Sequence, residues 1–160
     1  MTLAPSYSPP IPFRTPDRIP SPSAMAVETA TVDVAELVAF ARRLDARAAR
    51  DGESVSASSI VAKAFLVASL RHPGVDARWP RLPARHGLRL SELTAALDGA
   101  DAASPIPEDA AILSVGAIAG SMIDLRLAFD PHRTDAVAAH RMVEELASLL
   151  ADPWELIAHC

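Results

Sequence analysis

The side chains best suited by type and spacing to do chemistry lie in one short run, Asp130-Pro131-His132-Arg133-Thr134-Asp135. An imidazole and two carboxylates this close together are three potential ligands for a divalent ion. Three such residues in one turn are also a common accident, and no metal centre is expected. A turn of suitable shape would present the His132 ring to a substrate; the plainer reading is an exposed loop histidine. The glycines form neither a phosphate-cradling loop nor a dinucleotide fingerprint, and no His-Glu-x-x-His occurs. The single cysteine, Cys160, is the last residue, which excludes a disulfide framework, a Cys-x-x-Cys pair and a cysteine zinc site. His140 is expected on a helix, facing solvent or an interface. His72 is expected to close another helix near its negative dipole end. Ser114 reads as buried in a strand and Ser121 as part of a turn, while Trp79 and Trp154 read as packing anchors.

The rest of the chain must hold that turn. Its 160 residues are 50% hydrophobic and 22% charged, with a formal net charge of −5, enough for one domain with a real core. No apolar stretch approaches the roughly 20 residues of a membrane helix. The acidic balance disfavours nucleic acid. The N-terminus lacks the basic start and apolar core of a secretory signal, so a cytoplasmic protein is expected. Aromatic residues make up only 4% of the chain, which suggests thin, closely packed helices rather than an aromatic-lined pocket.

Of the 14 prolines, seven (Pro5, Pro9, Pro10, Pro12, Pro16, Pro20 and Pro22) crowd the start. Residues 1–23 are therefore expected as an extended arm, either a free tail or one lying on a neighbouring subunit, ahead of a domain over 24–160. The β-branched residues of Ala26–Val34 predict a strand, and Asp33 with Glu36 predicts a capping box opening a helix with Leu37, Val38, Ala41 and Leu44 on one face. After Asp51-Gly52-Glu53, a second helix from about Ser58 to Leu70 is apolar nearly all round and should be buried on several sides. His72-Pro73-Gly74 ends it. Residues 75–90 read as a loop, Leu90–Leu97 as a short helix capped by Ser91, and 100–109 as a polar connection. Ala111–Val115 and the alternating Ile123–Phe129 predict an antiparallel hairpin, followed by a last helix from about Asp135 to Leu150. The sum is an α+β domain: a small mixed or antiparallel sheet with two main helices packed on one face.

Three segments, in order, resemble the catalytic domain of dihydrolipoamide acyltransferases, the E2 components of 2-oxoacid dehydrogenase complexes. They are Val32-Asp-Val-Ala-Glu-Leu37; the run from Val61-Ala-Lys-Ala-Phe-Leu through Arg71-His-Pro-Gly to Trp79; and Ala111-Ile-Leu-Ser-Val-Gly116 continuing through Phe129-Asp130 to Leu149-Leu-Ala-Asp-Pro153. The resemblance implies a truncated chloramphenicol acetyltransferase-like fold. The family's middle section falls between Trp79 and Ala111, where this chain has room only for a loop and a short helix. Lys63, within an apolar helical run, does not resemble a lipoyl lysine at a hairpin tip.

The family signature is Asp-His-Arg-x-x-Asp-Gly, in which the histidine is the general base for a thiol that is mostly protonated at neutral pH. Aligned without a gap, Asp130 and Asp135 match the aspartates, Pro131 stands at the histidine and Ala136 at the glycine. Shifted by one residue, His132-Arg133 takes the family's His-Arg pair. On the shifted alignment the resemblance implies His132 as base, with Asp135 or Asp130 orienting it, in a cleft between subunits of a trimer. It further implies an acyltransferase with coenzyme A or a carrier-protein thioester as co-substrate and no covalently bound cofactor; the truncation of the family pattern points to a stand-alone enzyme suited to a biosynthetic pathway. The other implied reading is a catalytically silent or repurposed E2-like scaffold.

Overall fold

The computed structural model describes residues 25–82, 88–98 and 110–157. The proline-rich arm over 1–23, the connection over 100–109 and Cys160 lie outside the described residues.

Strand β1 (Ala26–Asp33) is followed by α1 (Ala35–Ala48), a 3-10 turn and α2 (Ala57–Arg71). Then come β2 (Ala77–Arg78), α3 (Leu90–Asp98), the hairpin of β3 (Ala111–Val115) and β4 (Met122–Phe129), α4 (Ala136–Ala151) and α5 (Trp154–Ile157). The strands form one mixed sheet in the order β1-β4-β3-β2, with β1 and β3 antiparallel to β4 and β2 parallel to β3. The expected α+β class, hairpin and small mixed sheet are all present. Residues 77–78, expected within a loop, form β2 instead. Two residues are too few for a periodic signal, and their pairing with Ala111 and Ile112 is made across the sheet.

Alternation along β4 sets the layering. Ile123, Leu125, Leu127 and Phe129 are buried, whereas Met122, Asp124 and Arg126 point the other way and are exposed. The buried row meets Val32, Leu113, Met142, Leu146 and Leu149 in one continuous core. Helix α4 lies on β1 and β4, while α2 packs against α1, α3, α4 and α5. That surrounding explains why Ile60, Val61, Ala64, Phe65 and Ala68 leave α2 almost no polar face.

Helix ends differ in detail from the sequence expectation. The Asp33–Glu36 capping box does not form: Asp33 instead accepts the Ala35 N–H at 3.0 Å, and the Val34 N–H donates to the Ser121 carbonyl at 2.6 Å. Ser56 caps α2, its hydroxyl accepting the Ser59 N–H at 3.2 Å. Ser91 lies inside α3, whose start is closed by Glu92 accepting the Arg89 N–H at 2.7 Å. Gly52, at φ 73°, supplies the left-handed turn between the α1 segment and α2.

Candidate functional site

The run Asp130–Asp135 joins the end of β4 to the start of α4, and its hydrogen bonds are local. The Asp130 carbonyl accepts the N–H groups of Arg133 (3.0 Å) and Thr134 (2.9 Å), which closes the turn. The Asp130 carboxylate accepts the backbone N–H of His132 at 2.9 Å and lies 3.8 Å from the Arg133 guanidinium. Thr134 is buried beneath. Asp135 is the N-cap of α4, its carboxylate accepting the Ala138 N–H at 3.2 Å, where the helix dipole favours a negative charge.

The three site residues of the sequence reading thus share one exposed turn, but their side chains are not joined to one another. The His132 ring is exposed and makes no hydrogen bond or ion pair among the described residues. Pro131, at the tip, is exposed as well. Both carboxylates are engaged by main-chain amides. Chemically, the turn offers one unencumbered imidazole on a backbone held at both ends. Among the described residues, no group of three or more His, Cys, Asp or Glu side chains is placed to hold a metal ion.

The remaining candidates separate clearly. Ser114, expected buried, is exposed: it pairs with Arg126 on the side of the sheet away from the helices. Ser121 is half-buried and serves through its carbonyl. Lys63 is half-buried on α2, away from any hairpin tip. Trp79 packs against the core and meets Phe65 edge-on at 6.2 Å, as a packing anchor does, whereas Trp154 meets Phe40 edge-on at 5.0 Å but stays 52% exposed. A hollow of about 400 Å³ between Gly52, Glu53, Ser91, Thr94 and Asp98 includes none of the turn residues.

Two charged clusters bind α4 to its neighbours. His72, at the end of α2, reaches Glu145 at 2.7 Å, and Arg71 bonds the same carboxylate. The Arg71 hydrogen bond, opposed by partial burial and aided by His72, lowers the Glu145 pKa. His140 lies between Glu28 of β1 (3.1 Å) and Glu144 (3.2 Å), and its pKa is raised, first by the bond to Glu28 and then by the charge of Glu144. Sequence reasoning located both histidines but not their carboxylates. Glu28 and His140 are 112 positions apart, a separation at which no local pattern signals contact.

Solved structures with this chain's architecture include the cubic core of the pyruvate dehydrogenase multienzyme complex, at TM-score 0.63 and 17% identity over 85% of each chain. The fold is that of an E2 catalytic domain. The Azotobacter vinelandii dihydrolipoamide acetyltransferase, studied for the roles of a serine, a histidine and an asparagine in its catalytic mechanism, matches at TM-score 0.59 and 18% identity over 85% of each chain. A probable dihydrolipoamide acetyltransferase from Listeria monocytogenes 4b F2365 matches at TM-score 0.55 and 13% identity, over 79% of this chain and 83% of its own. No family model and no curated protein matches the sequence. The E2 fold expected from the three quoted segments is therefore present, in a shortened form.

Proposed function

We propose that this chain is a stand-alone acyltransferase of E2 fold, which moves an acyl group from a coenzyme A or carrier-protein thioester to a small acceptor in a biosynthetic pathway. The observation that carries the reading is the free, exposed imidazole of His132 at the β4–α4 corner of an acyltransferase scaffold. As the acceptor attacks the thioester carbonyl it gives its proton to His132. The tetrahedral intermediate then collapses, the donor sulfur leaves, and His132 returns the proton to it. Asp130 and Asp135 act through the backbone, fixing the turn and the helix start from which His132 projects. The chain assembles as a homo-oligomer of the trimeric kind that the E2 resemblance implies, in the cytoplasm. No cofactor is held covalently.

A specific observation favours a second reading, a repurposed E2 scaffold without acyl transfer. In the Azotobacter vinelandii enzyme the histidine and asparagine named for the mechanism stand four residues apart. In this chain the residue four before Asp135 is Pro131, which has no proton to exchange, and the residue four after His132 is Ala136.

Thiol release from a panel of acyl-coenzyme A and acyl-carrier-protein thioesters, with candidate acceptors, decides between them. Turnover in the wild type that His132→Ala abolishes supports acyl transfer. Turnover indifferent to His132→Ala, or none in either protein, favours the repurposed scaffold.

A further inference from the structure

Among the described residues, helices cover one face of the sheet, with α4 lying on β1 and β4. On the other, the strand register sets Thr29, Arg126 and Ser114 side by side across β1, β4 and β3. All three are exposed, and all three lie on the side opposite the buried Leu125 and Leu127. Directly opposed residues on neighbouring strands have Cβ atoms about 5 Å apart, so the two hydroxyls flank the guanidinium stem. Among the described residues neither the guanidinium nor either hydroxyl has a hydrogen-bond or ion-pair partner. The carboxylate nearest in sequence on the same face, Asp124, is engaged by the Thr31 hydroxyl at 2.7 Å. Other arginines beside acids in this fold do pair, as Arg78 with Asp76 at 3.0 Å. A planar five-donor fork between two hydroxyl donors, on the middle of three strands, is a donor set matched to phosphate oxygens.

We propose that the row Thr29–Arg126–Ser114 binds a phosphate group and that the group belongs to the thioester donor. Arg126 precedes Asp130 by four residues on an extended strand, which sets it ~13 Å from the turn that carries His132. A phosphate held on the row leaves the pantetheine arm to span the distance to the imidazole. The identity of the donor rests on the acyl-transfer reading above; the phosphate preference of the row does not.

Calorimetric titration of the full-length chain with coenzyme A, 4′-phosphopantetheine and pantetheine tests the row. Coenzyme A should bind, pantetheine should bind at least about tenfold more weakly, and Arg126→Gln should lower coenzyme A affinity by about tenfold or more while leaving pantetheine unchanged. Arg126→Lys, keeping the charge but losing the fork, should fall between. Phosphopantetheine equal to coenzyme A assigns the row to the phosphate shared with carrier proteins; coenzyme A tighter than phosphopantetheine assigns it to the nucleotide phosphates. Coenzyme A that fails to bind, or binds Arg126→Gln as tightly as wild type, overturns the proposal. Acyl-pantetheine turnover in the same variant keeps the two ideas apart. Turnover with an unchanged coenzyme A affinity removes the phosphate row alone, and phosphate-dependent binding without turnover removes acyl transfer alone.

Discussion

The Asp130 carboxylate and His132 are joined through the main chain: the acid accepts the histidine's backbone N–H at 2.9 Å and leaves the ring free. A base and its orienting acid are normally coupled ring to carboxylate, which fixes the tautomer. Here the acid fixes the path of the backbone instead, and the imidazole is positioned by the turn.

Asp130→Asn keeps an acceptor at that position, while Asp130→Ala removes it from an exposed turn. The expected loss is about 1 kcal/mol for the alanine variant and a few tenths for asparagine. Urea unfolding of the two proteins checks it. A positioning role predicts that any His132-dependent turnover falls in Asp130→Ala and recovers in Asp130→Asn.

Asp135 is a helix cap, and its substitutions should follow cap rules. Asp135→Ala should lower stability by about 1 kcal/mol, and Asp135→Ser or Asp135→Asn should restore most of it. Thermal melts rank the series. A loss of activity in Asp135→Asn with full stability would instead mark the carboxylate as chemical.

The His140 pKa is raised by Glu28 and Glu144, so the folded protein binds this proton more tightly than the unfolded chain. Its contribution is fully present below the ordinary histidine pKa and is lost as pH rises through the higher folded value. In a series of urea midpoints against pH, the wild type should decline across this range and His140→Gln should lack that component. NMR titration of the ring should give a pKa above the ordinary histidine value.

Glu145 behaves with the opposite sign. Arg71 and His72 hold its pKa down, so its contribution is present above the ordinary glutamate value and lost as pH falls through the depressed one. Glu145→Gln should flatten the acid limb of the stability curve between those two values. Acid unfolding followed by circular dichroism compares the two proteins.

Neighbours on β4 should differ sharply. Leu127 is 1% exposed within the core, and Leu127→Ala should cost about 2–5 kcal/mol. Arg126→Gln, one residue away on the open face, should change stability by under about 0.5 kcal/mol. Paired denaturation curves test the layering independently of any activity.

Much of the fold was legible because its signals are periodic and local. Alternation from Ile123 to Phe129 named the buried face of β4, and the apolar run from Ile60 to Leu70 announced a helix enclosed by others. Proline and glycine after His72 marked the end of α2. The resemblance in three ordered segments added the E2 fold. The missed parts were non-local or too short: β2 exists only through its pairing with β3, and Glu28 has meaning only beside His140.

By itself, then, the sequence determined which residues share a face, where helices stop, and that one turn carries Asp130, His132 and Asp135, since each follows from chain geometry within a few residues. Tertiary structure alone decided what those side chains do there. Hydrogen bonds are short-ranged and directional, and closing the turn set both carboxylates against backbone amides instead of the imidazole. The same assembly of strands brought Thr29, Arg126 and Ser114 into one row from three separate stretches of chain.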